Sequence, residues 1–355
     1  MNDNLLNDIL ADFKDQTGTD NSAQAPLETE LRKAQSLSVG DSLVSGTKVM
    51  FSALFGKTAS GRDHELVQYT ATDWPEELHK YIPKADPHYK FRPEETERFL
   101  VGMRGDRRAS LLWGAAGTGK SSMPMQIAAL LNMPLLRVNM SEDADGSRLL
   151  GSPTVEAGDL GWNPGDVQIA AKHGCWIMID EFDSASAGIN ENCKPFLERG
   201  GNINVPECSD ATLRFIEPSD TFKVILTANT NLMGDETGSY ANSRVQPIAT
   251  LDRMSSVIKF DYNSPAAERE ILNARFPELE NSKAVNQLVQ FGSLVRSAYK
   301  QGQVRYPASS RTLMDIAEEY LFFGSLSAAI DRALLDKVPE SESSIYNDLK
   351  QQALV

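Results

Sequence analysis

Residues 114–121 read Gly-Ala-Ala-Gly-Thr-Gly-Lys-Ser, a complete match to the spacing G-x-x-x-x-G-K-[ST]. These residue types suit one task, the holding of a polyphosphate. Gly114, Gly117 and Gly119 let the backbone curl so that successive N–H groups point inward at phosphate oxygens, and the helix that follows adds the positive end of its dipole. Lys120 is placed to reach the β- and γ-phosphates, and Ser121 to ligate Mg²⁺. Together Gly114, Ala115, Ala116, Gly117, Thr118, Gly119, Lys120, Ser121 and Ser122 form the candidate phosphate-binding segment.

Two further strings supply what a hydrolytic site needs. Residues 176–183, Trp-Ile-Met-Ile-Asp-Glu-Phe-Asp, read as an apolar strand that delivers carboxylates at its C-terminal end, where ligands bind in open α/β sheets. Asp180 would hold Mg²⁺ through water, and Glu181 would polarise the attacking water. A strand alternates its side chains, which suits this division of labour. Asp183 reads as structural. A third apolar run, residues 222–227, exits in Ala228-Asn229-Thr230-Asn231. The Asn229 amide can hydrogen-bond a water nucleophile without competing for its proton; turn chemistry at a strand exit also favours asparagine.

These groups need strands that bring them to one edge. Residues 110–113, 134–138, 176–179 and 224–227 are continuous apolar runs between helical patterns, as a parallel sheet covered on both faces demands. Pro93, followed by Glu94, Glu95 and Glu97, predicts a helix from 93 to about 103. Beyond Pro265 only helical segments remain, at about 266–275, 282–300, 309–324, 326–336 and 342–353. The expectation is an α/β domain followed by a small all-helical one. Residues 1–45 read as an acidic flexible tail, 46–87 as an N-terminal extension, 88–264 as the nucleotide-binding domain and 265–355 as the helical domain. In the tail, Leu6, Ile9, Leu10 and Phe13 recur at helical spacing, which suits either a helix docked on a partner or a transient turn in a solvated arm.

The 355 residues carry 35 Lys and Arg against 49 Asp and Glu, so the net charge is 35 − 49 = −14. That sign argues against an unaided grip on a nucleic-acid backbone, but not against a phosphate held by backbone amides. Cys175, Cys193 and Cys208 include no close pair, so neither a disulfide framework nor a thiolate metal site is read. His64, His79, His88 and His173 are scattered, and no metal chemistry beyond Mg²⁺ is expected. The first residues are acidic where a signal peptide would be basic, and no apolar stretch approaches the ~20 residues that cross a bilayer. The expectation is a cytoplasmic protein with neither membrane nor direct nucleic-acid contact.

The order of these motifs resembles that of AAA+ ATPases, specifically the MoxR branch that includes the CobS subunit of aerobic cobaltochelatase. The resemblance runs from about Tyr81 to Ile330, and its most specific stretch is residues 227–253, TANTNLMGDETGSYANSRVQPIATLDR. It implies a P-loop AAA+ domain with a helical lid, ATP and Mg²⁺ as cofactors, and hydrolysis in a hexameric ring. It makes Asn229 the first sensor and Arg253 an arginine finger supplied to the nucleotide of the next subunit. Arg311, in Ser309-Ser310-Arg311-Thr312, resembles the second sensor that couples the lid to nucleotide state. After Tyr240 the residues Ala-Asn-Ser-Arg-Val-Gln depart from the CobS string, and Met254 stands where the family has an aromatic. These departures bear on the partnership more than on the ATPase chemistry.

The resemblance leaves two jobs open: metal insertion in cobalamin biosynthesis with CobN- and CobT-like partners, or chaperone work with a von Willebrand A domain partner. A nucleotide-gated binding scaffold is the alternative outside this class, and Glu181 argues against it because a pure switch needs no base. Between Leu149 and Gly174, the stretch 151–166 is too turn-rich for a helix and resembles the loop inserted in helix two of this branch. Its Trp162 either faces a pore or partner or folds back on its own domain. Residues 202–205 and 213–216 predict a second hairpin.

Overall fold

The computed structural model describes residues 46–140, 146–156, 159–235, 240 and 242–355; the tail and its Leu6, Ile9, Leu10 and Phe13 motif lie outside them. The described chain begins with an antiparallel pair, β1 (Thr47–Met50) and β2 (Glu65–Gln68), joined through the one-turn helix α1 (Phe51–Phe55). Phe51, Phe55, Tyr69, Trp74 and Leu78 turn inward and join the main hydrophobic core. Tyr69 N donates to Leu131 O and Trp74 Nε1 to Asn132 O, which staple this segment to the body.

Helix α2 (Pro93–Gly102) opens on its proline with Glu94 and Glu95 in the first turn. There follow β3 (Ala109–Trp113), α3 (Ser122–Leu131), β4 (Leu135–Asn139), and a hairpin of β5 (Ser152–Glu156) and β6 (Asp159–Asn163). The chain continues through α4 (Asp166–His173), β7 (Trp176–Asp180), α5 (Ala187–Leu197), a short pair β8 (Ile203–Asn204) and β9 (Phe215–Ile216), β10 (Lys223–Ala228) and β11 (Ser256–Lys259). Five strands form the main sheet in the order β11-β3-β10-β7-β4, every neighbouring pair parallel. β7 and β10 are buried along their whole length and β3 up to its last residue. Because β10 lies between β3 and β7, the exits carrying the phosphate loop, Asn229 and Asp180 emerge side by side.

Helices α6 (Pro265–Arg275), α7 (Lys283–Lys300), α8 (Ser310–Phe323), α9 (Leu326–Ala333) and α10 (Ser343–Leu354) enclose a second core that includes Leu288, Phe291, Leu313 and Tyr346. Ser264, Ser282, Ser309 and Ser325 each accept a backbone N–H three residues on, which satisfies a donor the helix leaves unpaired and sets each start sharply. Among the described residues no helix is long and apolar enough to cross a membrane.

The sheet contains one strand the sequence reading lacks. β11 is four residues long and only Ile258 in it is buried, too little for a periodicity signal. The second predicted hairpin also differs. Leu213 and Arg214 fall in a helical turn, Ala211–Arg214, capped by the Asp210 side chain, and the paired strands are two residues each. In the first insertion Trp162 folds back, its Nε1 donating to Gln168 Oε1 at 3.0 Å, while Val155 and Leu160, opposite one another across the hairpin, are exposed.

Candidate functional site

The phosphate loop leaves β3 with Gly114, Gly117 and Gly119 at φ of 146°, 73° and 98°. Two of these positions are also crowded: a Cβ on Gly114 would meet Phe260 O at 2.1 Å, and one on Gly117 would meet Ser309 Cβ at 2.4 Å. Glycine is therefore required by close approach as well as by backbone angle. Other elements hold the loop from outside. Arg92 donates through Nη2 to Thr118 O at 2.9 Å and through Nη1 to Asp261 O at 2.8 Å. Ala116 N donates to the Tyr240 hydroxyl at 3.1 Å, and the Tyr262 hydroxyl donates to Ala116 O at 3.2 Å.

Lys120 is buried, and its Nζ donates to Gly114 O at 2.6 Å, Ala115 O at 2.9 Å and Asn229 Oδ1 at 3.1 Å. Burial pulls the ammonium down to about 8, against the attraction of Asp183, Asp180 and Glu181. Asp180 Oδ1 accepts from Ser121 Oγ at 2.8 Å and from Thr227 Oγ1 at 2.7 Å, while Oδ2 pairs with Arg137 Nε. The Ser121 hydroxyl and the Asp180 carboxylate thus stand together beside the loop, a hard-oxygen donor set that fits Mg²⁺. Glu181 follows in the left-handed region at φ 57°, its N–H donating to Thr227 Oγ1 at 3.3 Å, with an exposed side chain. Non-glycine residues use that region sparingly, and such positions cluster at active sites.

Asp183 is fully buried and gathers four donors on Oδ2: Asn229 N at 3.0 Å, Thr230 N at 3.1 Å, Thr230 Oγ1 at 3.2 Å and Ser243 Oγ at 2.7 Å. This carboxylate fixes the exit of β10, and with it the turn that presents Asn229 to Lys120.

A cavity of about 390 Å³ opens between the phosphate loop, the strip 86–92 ahead of α2, and helices α6 and α8. Among the described residues six cations line it, Lys90, Arg92, Lys120, Arg137, Arg275 and Arg311, against the single acid Asp86. In a chain of net charge −14, this concentration of positive charge in one cleft selects an anionic ligand. Tyr89, Met125, Ile271 and Met314 give the same cavity an apolar wall. Arg311 has no side-chain partner among the described residues, whereas Arg275 pairs with Asp86 at 3.2 Å and so ties the strip to α6. Arg253 stands apart. It does not line the cavity, and it pairs with Glu198 at 2.7 Å within its own domain.

Arg92, Arg137, Arg275, Tyr240 and Tyr262 escaped the sequence reading as site residues. Arg137 carried a signal, as a cation inside the otherwise apolar run Leu135-Leu136-Arg137-Val138, but its target depended on knowing that β4 neighbours β7.

Residues 109–244 match the AAA domain of the dynein-related subfamily. The chain is 30% identical over 280 residues to the aerobic cobaltochelatase subunit CobS of a Sinorhizobium species, covering 77% of this chain and 83% of that protein. It is 25% identical over 236 residues to an uncharacterized protein of Staphylococcus haemolyticus, covering 65% and 84% respectively. Among solved structures, an S. cerevisiae Hsp104–casein complex aligns with a TM-score of 0.43 at 19% identity, over 62% of this chain and 40% of that one. The phosphate loop on β3, the acids on β7 and the length of the likeness to CobS agree, and the chain belongs to the CobS-like AAA+ ATPases.

Proposed function

We propose that this chain is an ATP-hydrolysing motor that works as a ring, and that it drives a partner subunit in metal insertion. The observation that carries the reading is the convergence of the phosphate loop, Asp180, Glu181 and Asn229 on three adjacent strand exits, beside a cation-lined cavity closed by Arg311 of the helical domain. Among the described residues the Lys120 ammonium donates only to loop carbonyls and to Asn229, which phosphate oxygens would replace. Mg²⁺ bound with the nucleotide would be held by Ser121 and Asp180 and would offset charge on the β- and γ-oxygens. Glu181 takes the proton of the attacking water, and Asn229 holds that water or the γ-phosphate in line. Arg311 relays closure to the helical lid. Arg253, remote from its own cavity, acts on the nucleotide of the adjacent subunit, and cobalt, as cargo, is handled by a large partner subunit.

Steady-state ATPase rates of wild type, Glu181→Gln and Arg253→Ala across protein concentration test this reading. Glu181→Gln should lose about 10²–10⁴-fold, and Arg253→Ala about 10³-fold or more. Wild-type specific activity should rise with concentration as the ring assembles. A rate indifferent to concentration and to Arg253 sinks the ring. Copurification of a von Willebrand A domain protein without a chelatase subunit would transfer the motor to chaperone work.

A further inference from the structure

We infer that Arg137 is a built-in counter-ion that competes with the nucleotide's divalent cation for Asp180, and so sets how strongly Mg²⁺ tightens nucleotide binding. The inference rests on the Mg²⁺-nucleotide reading of the site. Asp180 is almost completely buried, and both its oxygens are engaged. Oδ1 accepts from the Ser121 and Thr227 hydroxyls, and Oδ2 faces Arg137 Nε. The guanidinium therefore supplies the positive charge that a buried carboxylate beside a phosphate loop requires.

Its placement suits a removable charge. Arg137 lies opposite Met178, and Asn139 opposite Asp180, so the side chain of Arg137 reaches two residues along the ladder toward the strand exits. There it lines the same cavity as Lys120 and Ser121, with 53% of the side chain exposed. A guanidinium cannot shed its proton, so relief of repulsion from an arriving dication must come by moving. Only the arginine end of the pair meets solvent, so the guanidinium can leave once a dication replaces its charge at the buried carboxylate, and the long side chain then has phosphate oxygens within the cavity as its alternative partners. An arginine serving only to pin β4, the sheet's edge strand, would change stability without changing the response to Mg²⁺.

The test measures binding of the fluorescent analogue mant-ADP to the full-length chain, once with saturating Mg²⁺ and once with EDTA. The ratio of the two affinities isolates the metal-dependent part, because loss of a cation near the phosphates weakens both measurements. Arg137→Gln should raise the ratio about fivefold, the factor expected for removing a competing cation whose own end of the pair is solvated. Arg137→Lys keeps a cation but loses the planar fork, and should raise it about twofold; it also serves if the Gln variant does not fold. Melting temperatures of the nucleotide-free proteins should fall in the order wild type, Lys, Gln. A ratio that is flat or reversed across the series overturns the inference while leaving the ATPase reading intact. Failure of the wild type to bind mant-ADP at all would overturn both.

Discussion

Asp183→Asn asks whether one buried carboxylate organises both Asn229 and Lys120. Oδ2 takes four donors, at 2.7 to 3.2 Å, and the equally buried Oδ1 has no partner among the described residues. Asparagine keeps the shape and can turn its carbonyl toward the four donors, which strands its NH₂ where no acceptor waits. Hydrogen bonds to a charged group are worth about 1.5–3 kcal/mol and neutral ones about 0.5–1.5, so each bond weakens by roughly 1 kcal/mol. The stranded amide costs a further ~1–3 kcal/mol. Bonds that share one oxygen are not additive, and the net expectation is a loss of about 3–5 kcal/mol in unfolding free energy, read by urea titration with circular dichroism. Asp183 is also the largest of the three attractions that keep the proton on Lys120. Removing that charge should lower the lysine further and weaken mant-ADP binding at neutral pH. Unfolding free energy within about 0.5 kcal/mol of wild type, with an unchanged pH profile of binding, would refute the reasoning.

Lys120, held at about 8 in the folded chain against an ordinary 10.5, should give a nucleotide affinity that is flat below that pH and falls by up to about tenfold per pH unit above it; fluorescence titrations from pH ~7 to ~9.5 check this. In the same window the unfolded chain keeps the proton that the folded chain has released, so the stability of wild type relative to Lys120→Met should rise with pH, and a fall would contradict the assignment. Gly117→Ala drives a Cβ to 2.4 Å from Ser309 Cβ and should cost about 1–3 kcal/mol in thermal unfolding. Adding Ser309→Gly should recover the clash but not the backbone strain; no recovery would show that the contact is not what matters.

Legibility in the sequence followed locality. The phosphate loop, Asp180 with Glu181, and Asn229 are contiguous strings on long buried strands, and each emerged at the strand exit where it was sought. The helices after Ser264 were readable as helical patterns with no strand between them, and the structure adds the serine caps that set their starts. What stayed hidden is set by strand order and by folding back. Arg137 meets Asp180 across neighbouring strands, Arg275 meets Asp86 across most of the chain, and Tyr240 and Tyr262 reach the phosphate loop from beyond β10 and β11. Trp162 sits among turn residues and exposes none of its packing to periodicity; it packs against the main core and its indole N–H is taken by Gln168, six positions on.

Ala116 is gripped on both faces of its residue, its N–H by the Tyr240 oxygen and its carbonyl by the Tyr262 hydroxyl. A peptide plane at this point of the loop cannot rotate without releasing one of the two tyrosines. The loop is thus a mould cast from outside itself: its inward amides hold their directions because aromatic side chains from two later segments clamp its outer rim. Whatever displaces either tyrosine reshapes the phosphate seat without touching a single residue of the glycine-lysine motif.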